Sequence, residues 1–329
     1  MKTTILMLSV DEAALLEHSL PPALAQPDAR VVVIDNACAD TTVSLCERLG
    51  ADLVRLPRRV SYAAAINAGL AQTAGDDAVL LLNADCVLDA GFLAAAVPHL
   101  AEPGVGSVAP RLIRATGMTE AERLNVLDAA GMTIDQRRKN SLVGHGERVR
   151  PTEGPRACFG GDGACVLYRR DVLNACAVGA EVLDEDMALW ASDADLAWRA
   201  QLQGYACVYE PRAVAWHKRF YSPTTRAQLA PEHRRLQFRN RLLMIAKNET
   251  PRTFLRDFPS IVLYEVLALG FALLRERALL RGYVEFFRLL PRARARRRVI
   301  QRRRARGRRV PFGPPARRRP TLRARRPPT

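Results

Sequence analysis

Residues 79–85 read Val-Leu-Leu-Leu-Asn-Ala-Asp, an apolar run that stops at two polar side chains. Asn83 and Asp85 are two positions apart, so in extended chain both point the same way. The run shows no alternation, as expected of a strand buried on both faces. An amide and a carboxylate at the C-terminal end of such a strand stand where open α/β sheets bind ligands. Their oxygens suit a hard cation, Mg²⁺ or Mn²⁺, together with a phosphate. The same pair also fits a strand end closed by turn-forming Asn and Asp.

The elements that must position this pair lie upstream. Residues 31–36, Val-Val-Val-Ile-Asp-Asn, form a second apolar run ending in a carboxylate, Asp35. Asp40 or Thr41 then caps a helix through Leu49, closed by Gly50. A first strand is expected over Thr4 to Val10, followed by a helix that opens at Asp11 and Glu12 and runs through about Leu20. Residues 52–56 read as a short third strand, and Tyr62 to Ala71 is helical in pattern. Strand and helix alternating at short spacing predict a right-handed, mostly parallel sheet. No G-x-G-x-x-G follows any strand, which argues against a dinucleotide-binding turn.

A set of motifs in order now makes the reading specific. They are Val33-Ile34-Asp35-Asn36-Ala37-Cys38-Ala39-Asp40-Thr41, then Tyr62 to Gly69 with Asn67, then Leu81-Leu82-Asn83-Ala84-Asp85. Asp128-Ala129-Ala130-Gly131, Gly163 to Arg170, Ser192 to Arg199, His217 and Asn240-Arg241-Leu242-Leu243 complete the series. Over roughly residues 1–250 the chain resembles a family 2 glycosyltransferase of the GT-A fold, in its rhamnosyltransferase-like branch. The resemblance implies that Asp35 contacts the donor nucleobase and that Asn67 belongs to the donor site. It implies that Asn83 and Asp85 form the D-x-D-like motif, with Asn83 near the ribose and Asp85 on a Mg²⁺ or Mn²⁺ ion bridging the donor diphosphate. Asn at the first position removes one anionic ligand. His217 resembles the later histidine that completes the metal site; it also reads as a structural histidine beside Trp216.

Asp193 resembles the family's catalytic base, although the preceding residue is Ser192 where the family usually has Glu. Leu196, Arg199 and Ala200 lie at helical spacing, so a helix should start near Asp193 to Asp195. Asp195 is then a cap or first-turn acid, and Asp193 should precede it on a loop facing the cleft. Two aspartates that merely stabilise a helix start are the plainer alternative. The chemistry would be an inverting transfer. One carboxylate takes the acceptor's hydroxyl proton, and a cation neutralises charge on the leaving diphosphate.

Residues 158–170 form a glycine-rich entry to another strand, and the resemblance places Gly163, with Asp195, on the acceptor side. Residues 132–157, with Arg137-Arg138-Lys139, read as a mobile loop or β-ribbon.

The net charge of +16 comes entirely from residues 291–329, which hold seventeen Arg and no acid. This Arg/Pro-rich tail should be largely disordered, with some helix persisting from Arg292 to about Arg306. Residues 251–290 are expected to form amphipathic helices at a membrane interface, with the tail drawn to anionic lipid. The expected organisation is thus a catalytic domain over 1–250, a membrane-associating segment over 251–290 and the tail over 291–329. Seven cysteines without a C-x-x-C pair indicate neither zinc nor a disulfide framework, and they fit a reducing cytosol. Asp11 and Glu12 cut the first apolar run short, so no signal peptide is expected.

The expected partners are a dTDP- or UDP-linked sugar, with rhamnose foremost, a saccharide or polyprenyl-linked acceptor, and the cytoplasmic face of a bacterial membrane. No specific nucleic acid is expected, because the tail lacks interleaved aromatics for stacking. Polyanion binding through the tail and nucleotidyl transfer remain alternatives.

Overall fold

The computed structural model describes residues 1–150, 153–220 and 228–313. Strand β1 (Thr3–Ser9) is buried along its whole length, which is why its sequence does not alternate. It is followed by α1 (Ala13–Leu24), β2 (Ala29–Asp35), α2 (Thr42–Leu49), β3 (Asp52–Arg55), α3 (Tyr62–Ala71) and β4 (Ala78–Asn83). Strand β1 pairs in parallel with both β2 and β4, and β3 pairs in parallel outside β2. Next come β5 (Cys86–Leu88), α4 (Phe92–Ala96), β6 (Val105–Ala115), β7 (Arg123–Ala129), β8 (Met132–Ile134), β9 (Asn140–Leu142) and β10 (Arg156–Cys158). The chain continues through β11 (Cys165–Arg169), α5 (Arg170–Cys176), α6 (Ser192–Leu202), β12 (Ala206–His217), α7 (Pro231–Asn248), α8 (Pro251–Leu274) and α9 (Ala278–Arg302).

The main sheet has the order β10-β12-β6-β11-β4-β1-β2-β3. Strand β11 runs antiparallel to β4 and β6, while β6 and β12 are parallel. Side chains alternate between two core layers. Ile5, Met7, Val31 and Val33 meet Leu16, Leu20, Leu45 and Phe92 on one face. Leu6, Leu8, Val32 and Ile34 meet Ile66, Leu70, Val172 and Leu196 on the other. Helix α3 lies so close to the sheet that a Cβ at Gly69 would stand 2.4 Å from Ile34 and 2.9 Å from Leu6. A third cluster joins Trp198 of α6 to Leu243 and Met244 of α7, Ala293 and Ile300 of α9, Ile134 of β8, and Val310.

Several expectations change here. Helix α1 passes through Pro21 and Pro22 to Leu24 because Leu20 and Ala23 anchor its last turn in the core, both at 0% exposure. Residues 132–142 form a two-stranded ribbon, β8 paired with β9, and its tip is locked. Arg138, at 0% exposure and φ +62°, reaches into α8. It pairs with Asp257 at 2.8 Å and with Glu249, and its guanidinium lies 3.8 Å over the Phe312 ring. Burial of three charges is tolerable only because each is paired and hydrogen-bonded.

The helix expected to persist into the tail is present. Helix α9 continues through Arg302, because Arg296 pairs with Glu181 at 2.7 Å and Asp184 at 3.1 Å while Ile300 is buried. Beyond it, Phe312 packs edge-on against Trp198 at 5.0 Å, and the Gly313 N–H donates to the Ile134 carbonyl at 2.9 Å. The expectation of disorder for residues 314–329 lies outside the described residues.

Candidate active site

The loops that follow the parallel strands open at one edge of the sheet. Ser9 at the end of β1 is in register with Asp35 of β2, and Leu8 with Asn83 of β4. Asp35 is 4% exposed; its carboxylate accepts from the Cys38 N–H at 2.8 Å and lies 3.7 Å from Arg55. Asp40 accepts from the Ala13 N–H at 2.8 Å and the Thr42 N–H at 3.0 Å, so one carboxylate starts both α1 and α2. Asp11 and Cys38 lie beside it, but Asp11 is occupied by Arg59 at 2.6 Å and the Ala39 N–H at 2.7 Å.

Asn83 and Asp85 follow at the end of β4 as expected. The Asn83 N–H donates to the Ala164 carbonyl at 2.9 Å, which joins the strand end to the glycine-rich segment. Among the described residues none donates a hydrogen bond to the buried Asp85 Oδ1, and Nε2 of His217 lies 3.3 Å away. His217 ends β12 and is 4% exposed; Asp128, at the end of β7, holds its Nδ1 at 2.8 Å. Burial alone would lower the imidazole pKa, but Asp85 and Asp128 outweigh it and raise it to about 10. Asp128 feels the same balance: burial raises its carboxyl, while His217 and Arg219 bring it down to about 2. Arg219 bridges Asp128, at 2.7 Å, to Asp162. The Asp85 oxygen, facing the Nε2 of an imidazole oriented by a second carboxylate, fits a divalent cation, whose binding would displace the Nε2 proton.

Asp193 stands on the other side of the glycine-rich segment. It lies inside the first turn of α6 rather than on the preceding loop, because the helix starts at Ser192. Its Oδ2 accepts from the Gly163 N–H at 3.0 Å, and its Oδ1 from the Ala194 N–H at 2.8 Å. A Cβ on Gly163 would lie 3.3 Å from that carboxylate, so glycine permits the approach. Burial, then repulsion from Asp162, raises the Asp193 pKa to about 6, against the pull of the two N–H groups. Such a group is ionised at neutral pH and still basic enough to take a proton.

Two predicted residues have other tasks. Asp195 is at 0% exposure and is spent on Arg199 at 3.0 Å, Lys247 at 3.0 Å and Asn248 at 2.8 Å. It anchors α6 to α7. The Asn67 amide donates to the Leu183 carbonyl at 2.8 Å and accepts from the Val182 and Leu183 N–H groups, so it holds the 182–185 segment in place. Asn240 does the same one step on, donating to the carbonyls of Met187, Leu189 and Trp190 at 2.7–3.0 Å. These bonds brace a stretch in which Ala188, Trp190 and Ala191 all have positive φ, just before Asp193.

Sequence reasoning assigned no part in the site to Tyr62, Glu12, Asp162, Asp128 or Arg219. Burial raises the Tyr62 hydroxyl, and Asp193, Asp162 and Asp85 raise it further, which places it among the three carboxylates. Glu12 is raised to about 7 by burial and then by Asp85. Asp128 and Asp162 sat inside quoted motifs, but nothing in their spacing showed that Arg219 would join them.

The order of the sheet, with carboxylates at the C-terminal edge of its parallel strands, defines a GT-A fold. The model for glycosyl transferase family 2 matches residues 4–176, and the chain belongs to that family. No curated protein matches the sequence. Among solved structures, the chain is similar to GalNAc-T7 with UDP, GalNAc and Mn²⁺, at TM-score 0.60 and 13% identity over 75% of this chain. It spans 48% of that protein, about half its length. It is also similar to the mannosyltransferase PcManGT of Pyrobaculum calidifontis in complex with GDP-Man and Mn²⁺, at TM-score 0.52 and 21% identity over 91% of this chain and 84% of that one. A third likeness is to S. aureus TarS 1–349 in complex with UDP-GlcNAc, at TM-score 0.56 and 16% identity over 92% of this chain and 90% of that one.

Proposed function

We propose that the chain is an inverting glycosyltransferase that uses a dTDP- or UDP-linked sugar, rhamnose foremost, and a saccharide or polyprenyl-linked acceptor in cell-envelope glycan synthesis. The observation that carries this reading is a division of labour among carboxylates. Asp85 offers beside His217 an oxygen that no described residue serves with a hydrogen bond, while Asp193 is held apart by Gly163 with its pKa raised to about 6. Asp85 and His217 would hold Mg²⁺ or Mn²⁺, which when bound supplies positive charge for the leaving diphosphate. Asp35 and Asn83 would meet the nucleoside, since both stand at the same edge of the parallel strands. Asp193 would accept the acceptor's hydroxyl proton as the anomeric carbon is attacked. The Gly163 and Ala194 N–H groups keep its carboxylate oriented through the transfer. Arg219 holds Asp128 and Asp162 in place behind the two sites.

The same reading puts the protein on the cytoplasmic face of a membrane. Among the described residues, α8 is the one helix long and apolar enough to cross a bilayer. One stripe of it, through Thr253, Asp257, Ile261 and Ala272, is buried on the protein, whereas Leu255, Leu263, Val266, Leu267 and Leu274 are exposed. A helix anchored along one side and apolar on the other lies in an interface rather than across it.

Polyanion binding by the arginines is the weaker reading. Arg292 and Arg296 pair with Asp186, Glu181 and Asp184, and Arg303 donates to the Ala175 carbonyl at 3.1 Å. The deciding experiment is thermal shift against a panel of sugar nucleotides with and without Mn²⁺. Stabilisation by one nucleotide sugar only with metal supports the proposal, and none across the panel refutes it.

A further inference from the structure

The edge strand β10 carries a cysteine that the sequence shows only as one of seven. Cys158 is directly opposite Cys207 of β12 in the antiparallel register. Their sulfurs are 3.4 Å apart, close to van der Waals contact and pointing at one another. A register shift of β12 against β6 falls between Ala206 and Cys207, a bulge of the kind that re-aims a side chain. A disulfide bond is about 2.05 Å long, so closing the gap needs small side-chain rotations and no strand movement.

We propose that Cys158 and Cys207 form a reversible, oxidation-sensitive cross-strand disulfide, with a peroxide as oxidant. The inference rests on this geometry and is independent of the proposed transfer reaction. Cys158 is half-buried and Cys207 is buried, so the oxidant reaches Cys158 first. Peroxide oxidises the Cys158 sulfur to a sulfenic acid and is itself reduced, releasing one water. The Cys207 sulfur then attacks that sulfur, the S–OH bond breaks, and the hydroxide leaves with the second thiol's proton as another water. Two thiols and one peroxide thus give one disulfide and two waters. The Cys158 thiol donates to the Cys207 sulfur, which lowers the Cys207 pKa, as Ser107 and the Ala109 N–H also do, and raises that of Cys158. Exposure therefore selects Cys158 for the oxidant, and the lowered thiol suits Cys207 to the resolving step.

The pair opens the segment that leads to the site. The Cys158 and Phe159 carbonyls accept from Gln201 of α6 at 3.4 and 3.1 Å, and the chain then runs through Gly160 to Gly163 against Asp193. Cys86 and Cys165 provide an internal contrast, because both are at 0% exposure.

The test is peroxide titration of the full chain, followed by denaturation, alkylation of free thiols and peptide mapping. The expected result is loss of two of the seven thiols, a linked Cys158–Cys207 peptide, and recovery by dithiothreitol. The thermal midpoint should rise by several degrees on oxidation in the wild type and stay unchanged in Cys207→Ala. Cys158→Ala, measured in parallel, should leave Cys207 unoxidised at the same dose. Seven alkylated thiols after oxidation, a Cys158 sulfinic acid without a linked peptide, or a Cys86–Cys165 link formed first would each overturn the proposal.

Discussion

At the scale of single residues, the site depends on two carboxylates kept in different electrical surroundings. Asp85 has a buried oxygen that receives no hydrogen bond from the described residues and lies 3.3 Å from His217. Asp85→Ala should therefore abolish Mn²⁺-dependent donor binding, read by titration calorimetry with and without metal; equal donor affinity in both conditions would remove Asp85 from the metal site. As the proposed base, Asp193 would act only when ionised. With its pKa raised to about 6, turnover should be flat above neutrality and fall about tenfold per pH unit well below that pKa. Asp193→Asn should bind donor, turn over at least ~10²-fold more slowly, and lose that acid limb, which a pH–rate profile will show. The same loss in Asp195→Asn without unfolding would reverse the assignment, but Asp195 is committed to Lys247 and Arg199.

At the scale of elements, α8 is fastened along one side and bare along the other. Arg138 from the ribbon pairs with Asp257 and Glu249, and Arg241 of α7 pairs with Glu265 at 2.5 Å. Arg138→Ala would leave buried Glu249 without its cation and Asp257 with Arg256 alone, so equilibrium denaturation should show a loss of about 3 kcal/mol. A midpoint like that of the wild type would mean that water replaces the guanidinium. On the bare side, Leu263 and Leu267 are 61% and 63% exposed. The double substitution Leu263→Glu, Leu267→Glu should keep the melting temperature within a degree or two, as exposed changes do, while vesicle co-sedimentation at high salt falls sharply. Undiminished sedimentation at high salt would exclude apolar insertion of α8.

At the scale of the whole molecule, the charge is unevenly spread, and part of the basic segment belongs to the fold. Arg296 clamps the segment that Asn67 and Asn240 also brace, so α9 is connected through Glu181 and Asp184 to the approach to Asp193. Deleting residues 291–329 should cost stability and activity together, because Ile300, Val310 and Phe312 leave the cluster around Trp198. Deleting only residues 314–329 should leave turnover on a soluble acceptor intact and weaken binding to anionic vesicles at low salt, where each basic residue near the surface contributes about 1 kcal/mol. Equal low-salt sedimentation of this deletion and the full chain would dismiss the electrostatic part of the anchor.

The N-terminal half was legible because its signals are local. Unalternating apolar runs marked β1, β2 and β4, and the helix expected over Tyr62 to Ala71 is α3 residue for residue. Asp35, Asn83 and Asp85 could be placed at strand ends because a polar residue after a buried run can only stand where the sheet stops. The remainder depended on partners distant in sequence. Asp193 and Asp195 look alike in the chain; burial beside Lys247 and Arg199 reserves one for structure, and the other meets the Gly163 N–H, where we propose that it takes a proton. Arg138 and Arg296 read as surface charge until acids more than a hundred positions away enclose them. Composition reports how much charge and apolar surface a chain carries, and local pattern reports which element each residue joins. Which charges are paired, which carboxylate stays open and which thiols meet are set by contacts between elements, and only the tertiary structure decides those.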